Sequence, residues 1–89
     1  METVAQKTKR VLADALGIDQ RILTYDTHLQ TDLGADSLDI LEAIVLLENE
    51  FGVSVPDKKI KSMKRVGDLI KYFEDKKLIP IYSKTFMAA

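Results

Sequence analysis

The sequence predicts an all-α fold: a four-helix bundle of three longer helices and one short third helix, with a long loop between the first two. Three observations carry this. Apolar residues recur at intervals of three and four in three separate segments, the spacing that lines them along one side of a helix. Capping residues and glycines bracket those segments. The two-residue alternation of a half-buried strand is missing, since the one extended-looking piece is the isolated Val53-Ser54-Val55. At 89 residues, 46% apolar and 30% charged, the chain has the size and composition of one ordinary globular domain.

The first helix is expected to place Val4, Val11, Leu12, Ala15 and Leu16 on one face. Thr3 with Gln6 three residues later fits a capping box, and Gly17 is suited to end the helix in a left-handed conformation. Residues 17–35 show no sustained period. They read as a long ordered loop pinned by Leu29 and Leu33, functional in itself or containing a short helical turn.

From Ser37 to Phe51 the apolar residues Leu38, Leu41, Ile44, Val45, Leu47 and Phe51 recur at helical spacing, and Gly52 and Pro56 close the segment. Pro56 suits entry to a short helix over Asp57 to Ser62, with Ile60 and Met63 pointing inward. Val66, Leu69, Ile70 and Phe73 define the fourth helix, ending near Lys76 and Lys77, where cations favour a helix C-terminus. A helical domain over residues 1–77 is expected, with 78–89 as a C-terminal extension that is partly packed or flexible. The apolar Leu78, Ile79, Ile81, Tyr82 and Phe86 are too many for a wholly solvated tail.

The absence of cysteine excludes disulfides, thiolate metal sites and a cysteine nucleophile. The longest uninterrupted aliphatic run is five residues, Ala43 to Leu47, against about 20 needed to span a bilayer. The N-terminus lacks a basic region followed by an apolar stretch. A cytoplasmic protein is expected. The formal net charge of −1 conceals a strong division: residues 22–57 hold eight acids and no Lys or Arg, whereas residues 58–77 hold eight bases and three acids.

The turn Gly34-Ala35-Asp36-Ser37-Leu38 carries the chemistry. Asp36 stands at an N-cap position, Ser37 is the first helical residue and Asp39 lies in the first turn. Unpaired N–H groups and the positive dipole end at a helix N-terminus support a phosphate, so a phosphodiester on Ser37 would be stabilised there. The same residues also make an ordinary helix start. Serine catalysis is a poor alternative, because the lone His28 has no local third member for a triad and reads as a surface loop residue.

The run Asp32-Leu33-Gly34-Ala35-Asp36-Ser37-Leu38-Asp39, then Leu41-Glu42, then Leu47 through Asp57, closely resembles the discrete acyl carrier proteins of bacterial fatty acid synthesis, over about residues 3–76. The resemblance implies that residues 1–77 form an acyl carrier domain and that Ser37 receives 4′-phosphopantetheine from coenzyme A through a phosphopantetheinyl transferase. The thiol of that arm would then carry acyl groups as thioesters, in a protein that is no enzyme itself. It implies a docking face of Asp36, Leu38, Asp39, Glu42, Val45 and Glu48 for the basic patches of acyl-chain synthesis and acyltransferase enzymes. It also implies an acyl cavity lined by Leu29, Leu33, Leu41, Ile44, Leu47, Ile60, Leu69 and Ile70, in a monomer with no bound metal.

Three features depart from the family. Its members stay acidic through the third helix, whereas this chain has Lys58, Lys59, Lys61, Lys64 and Arg65, read either as drift on a solvated face or as a basic surface for a dedicated acidic partner or an anionic lipid surface. Arg65 stands where a hydroxyl residue is common, which points to a shorter or shifted helix boundary with Ser62 as the cap. The tail after Lys77 exceeds the compact family pattern and is a second place where pathway specificity could reside. The alternatives are a carrier for polyketide or aminoacyl intermediates and, in another class, a small helical adaptor. Binding of nucleic acid is disfavoured, because the acidic run beside the basic one would repel phosphates.

Overall fold

A computed structural model describes residues 2–76 of the chain. Helix α1 (Val4–Leu16) starts in a capping box: the Gln6 N–H donates to Thr3 Oγ1 at 3.0 Å and the Thr3 N–H donates to Gln6 Oε1 at 2.8 Å. Each partner satisfies an N–H that the helix leaves open. Gly17 ends α1 in the left-handed region. Val11 and Leu12 are buried as expected, and so is Thr8, whose hydroxyl donates to the Val4 carbonyl at 2.8 Å. That bond is what lets a polar residue occupy the apolar face. Ala15, expected on this face, is instead exposed, because no element among the described residues covers that side of the last turn; Ala13 is buried.

The long loop contains the short 3₁₀ turn Gln20–Ile22, capped by Asp19. Beyond it the loop is stitched to the segment that precedes the fourth helix. The Leu29 N–H donates to the Lys64 carbonyl (2.9 Å), the Val66 N–H to Thr27 (3.0 Å) and the Gly67 N–H to Tyr25 (2.9 Å). Arg65 Nη1 donates to the Asp26 carbonyl at 2.7 Å, and His28 and Arg65 form an isolated antiparallel bridge. His28 is half-buried and orders its own turn, since its Nδ1 accepts the N–H groups of Gln30 and Thr31.

Helix α2 (Ser37–Phe51) buries Ile40, Ala43, Ile44, Leu47 and Phe51. Leu38, Leu41 and Val45, counted in the apolar period, lie on the opposite side with Leu46. At 100° per residue one helix side holds 40, 44, 47 and 51 and another holds 38, 41 and 45; α2 has more apolar residues than its buried face can take. Helix α3 (Asp57–Ser62) follows Pro56, with Ile60 half-buried against the core and Met63 buried behind it.

A fourth helix, α4, occupies residues 66–76. Ser62 does not cap it: the Ser62 hydroxyl donates back to the Lys59 carbonyl at 2.7 Å. The start of α4 is closed from within, where Asp68 Oδ2 accepts the N–H groups of Lys64 (2.9 Å) and Arg65 (3.0 Å). A carboxylate in the first turn also offsets the cations beside it. Phe51 and Phe73 stack at 4.8 Å between ring centroids, joining α2 to α4. Leu12, Leu29, Ile44, Leu47, Val66, Leu69 and Ile70 complete the fully buried core, each worth about 1.5–3 kcal/mol relative to exposure. Glu50, at the end of α2, lies 3.7 Å from both Lys7 and Arg10, setting the first half of α1 against the last turn of α2. The expected packing of residues 78–89 lies outside the described residues.

Candidate functional site

The loop that α4 anchors delivers its last residues to the start of α2. Asp32 folds back, its carboxylate accepting the His28 N–H at 2.7 Å, and the Gly34 N–H donates to the Gln30 carbonyl at 2.9 Å. Gly34 adopts φ 69°, a conformation that a side chain would strain. Ala35 is buried and ties back to Leu29, and the chain then enters α2.

Asp36 is the N-cap, in extended backbone. Its Oδ1 accepts the Asp39 N–H at 2.9 Å, and the Asp36 N–H donates to Asp39 Oδ2 at 3.2 Å, a reciprocal capping box. Ser37 is thereby fixed as the first helical residue, exposed, and among the described residues its hydroxyl has no hydrogen-bond partner. The cap uses the flanking carboxylates and leaves the serine oxygen free to react.

Beside Ser37 lies a groove of about 230 Å³ lined by Leu29, Gln30, Ile40, Ile60, Lys61, Met63 and Lys64. It has an apolar floor and a polar rim. From the residues expected to line a cavity it takes Leu29 and Ile60. Ile44, Leu47, Leu69 and Ile70 are fully packed into the core, and Leu33 is half-buried. Leu41, expected inside, is 42% exposed, because it lies on the outward side of α2. Ile40 and Met63 are additions to the expected lining; for Ile40 the sequence held a signal, since it stands three residues after Ser37 and so shares its side of the helix.

The outward face of α2 interleaves apolar and acidic groups. Leu38 is 61% exposed, and Leu41, Val45 and Leu46 are between 42% and 47% exposed, with Asp39 and Glu42 among them. Glu48 stands seven residues after Leu41, on the same side of α2, but its carboxylate is engaged in the scaffold. It is half-buried and its Oε2 accepts the Val55 N–H at 2.6 Å, holding the chain between α2 and α3. Its charge also reaches Tyr72, a buried residue whose hydroxyl donates to the Ser54 carbonyl at 2.9 Å. Burial first, and Glu48 second, hold the Tyr72 phenol above its ordinary pKa.

The basic run divides in four, with Lys58 exposed on α3. Lys61 and Lys64 line the groove of Ser37. Lys59 lines a separate depression with Asp68, Lys71 and Asp75. Arg65 is bound to the loop through Asp26. Among the described residues no helix is long and apolar enough to cross a membrane.

Against known proteins, the family described as "Phosphopantetheine attachment site" matches residues 6–73. The acyl carrier proteins of Helicobacter pylori strains G27 and HPAG1 are each 46% identical to this chain over 68 residues, covering 76% of it and 87% of theirs. Among solved structures, an acyl carrier protein from Enterococcus faecalis matches with a TM-score of 0.67 and 28% identity. That match covers 79% of this chain and 89% of that one.

Proposed function

Since the chain belongs to the phosphopantetheine-attachment family and is an acyl carrier protein, non-catalytic and bearing a covalent 4′-phosphopantetheine, we propose that Ser37 is the residue that bears the arm. The observation that carries this reading is the exposed serine hydroxyl with no partner among the described residues, fixed as the first residue of α2 by a capping box that occupies its neighbours. The residues around it suit the group. The α2 N-terminus favours an attached phosphate, and the groove offers both cations and an apolar floor. When bound, the arm supplies the thiol that this cysteine-free chain lacks, and acyl groups ride on it as thioesters.

What the chain itself contributes is presentation. The rigid cap holds Ser37 Oγ outward for the transferase. Leu38, Leu41, Val45 and Leu46 offer apolar area, and Asp36, Asp39 and Glu42 surround it with negative charge suited to basic enzyme surfaces. Such complementarity speeds encounter and sets orientation while allowing release. The partners of this face are the enzymes of fatty acid or related lipid synthesis, and the exposed Lys58 and Lys59 on α3 serve a partner with an acidic surface. The carrier acts as a cytoplasmic monomer.

Intact-mass measurement tests the attachment site. After incubation with coenzyme A and a phosphopantetheinyl transferase, the wild type gains the mass of one arm and Ser37→Ala gains none, with unchanged melting. An adduct of equal yield on Ser37→Ala would place the arm elsewhere.

A further inference from the structure

Lys61 and Lys64 stand apart from the other bases of the run. Both line the groove that Ser37 lines, one from α3 and one from the link into α4. Among the described residues neither ammonium has an ion-pair or hydrogen-bond partner. Their neighbours are otherwise placed: Arg65 is bound to the Asp26 carbonyl, Lys59 faces a depression that also holds Asp68 and Asp75, and Lys58 is exposed. Asp36 precedes Ser37 as the N-cap, and at 100° per residue Asp39 and Glu42 project from α2 about 160° and 140° away from Ser37. The serine thus sits on a boundary, with carboxylates toward the outer face of α2 and two unpaired cations toward α3.

A phosphodiester on Ser37 Oγ would bring one negative charge to this boundary, a single bond away from the serine. Lysine carries its charge on a flexible four-carbon stem, long enough for both ammonium groups to turn to an anion in the groove they share. The carboxylates repel that anion and the lysines attract it. We propose that Lys61 and Lys64 are positioning residues that hold the phosphodiester of the arm at the α2–α3 groove, so that the arm departs over Leu29, Ile40, Ile60 and Met63 and not along the acidic face of α2. This rests on the reading of Ser37 as the attachment site. It gives two of the five bases in the run an intramolecular role, and leaves Lys58 and Lys59 for partners.

The test compares apo and loaded forms of the wild type, Lys61→Gln/Lys64→Gln and the control Lys58→Gln/Lys59→Gln, with loading verified by intact mass. All four lysines are exposed, so the apo variants should melt like the apo wild type. Loading should raise the melting temperature of the wild type by about 2–8 °C more than that of Lys61→Gln/Lys64→Gln. High salt should abolish that excess, because the contact is exposed to screening. The control should behave as the wild type, and the phosphorus NMR resonance should move in Lys61→Gln/Lys64→Gln but not in the control. An equal response to loading in the wild type and Lys61→Gln/Lys64→Gln overturns the proposal, as does an equal loss in both lysine pairs. A wild type that accepts no arm would refute the attachment reading itself.

Discussion

Glu48 offers the sharpest separation of scaffold from proposed docking surface, because it shares the side of α2 that carries Leu41 and yet is tied to the chain beyond the helix by a half-buried hydrogen bond. Its carboxylate accepts the Val55 N–H at 2.6 Å in a half-buried setting, and Val55 is itself buried. A hydrogen bond to a charged group contributes about 1.5–3 kcal/mol, and a buried N–H left without a partner costs about 1–3 kcal/mol. Glu48→Ala should therefore destabilise the fold by about 2 kcal/mol, or roughly 8–16 °C in melting temperature for a domain of this size. Glu48→Gln keeps an acceptor oxygen without its charge and should lose about half as much. Both variants also remove a negative charge from the neighbourhood of Tyr72, so tyrosine absorbance should report a phenol that titrates at lower pH. Thermal melts, alkaline titration and acyl transfer measured well below both melting points complete the assay. Transfer per folded molecule should match the wild type. A Glu48→Ala protein that melts with the wild type yet transfers poorly would refute the reasoning and return Glu48 to the docking face.

Three further outcomes are expected. Gly67→Ala would place its Cβ 2.9 Å from the Tyr25 carbonyl oxygen, which also accepts the Gly67 N–H; overpacking of about 1–3 kcal/mol outweighs a helix-propensity gain of about 1 kcal/mol, so denaturant midpoints should fall. The Tyr72 phenol is held above its ordinary 10.0, so its contribution is complete below about pH 10 and is lost as pH rises through the folded value. Tyr72→Phe should flatten that alkaline loss of stability while costing about 0.5–1.5 kcal/mol at neutral pH through the Ser54 bond. Glu42→Lys, on the exposed face of α2, should leave melting within about 0.5 kcal/mol but lower kcat/KM with enzymes that present basic surfaces, most strongly at low salt.

The helix boundaries were legible because they depend on local chemistry. Thr3 with Gln6, Gly17, Asp36 and Gly52 all act where their residue types predict. The start of α4 was not legible in the same way. Ser62 had the right chemistry for a cap, but Asp68, inside the helix, takes the free N–H groups of Lys64 and Arg65. The choice between them depends on how the loop docks, and the loop is fixed by long-range bonds from Leu29, Arg65, Val66 and Gly67. Around Ser37 the periodicity identified an apolar helix without telling which apolar residues face outward. Leu41 and Ile44 both fit the spacing, yet one is exposed and the other fully buried, because the direction of the core is set by α1 and α4 and not by α2 alone.

The division of charge along the chain does not translate into two uniform surfaces. Of the eight acids between residues 22 and 57, Asp32 holds the His28 N–H, Asp36 and Asp39 hold each other's N–H groups, Glu48 holds Val55 and Glu50 faces Lys7 and Arg10. These carboxylates still project negative charge, but substituting them also removes a structural bond. At Asp36, loss of the cap alone costs about 0.5–2 kcal/mol, so weakened partner binding by Asp36→Ala mixes a softer α2 start with a weaker field. Glu42, exposed and without a partner among the described residues, changes the field alone. The same reasoning applies to the bases: Arg65 variants release the loop from Asp26, whereas Lys58 and Lys59 variants alter only charge. The proposed docking roles are therefore best tested at Glu42 and at the Lys58 and Lys59 pair, and effects at Asp36, Asp39, Glu48 and Arg65 acquire meaning only after the stability of each variant has been subtracted.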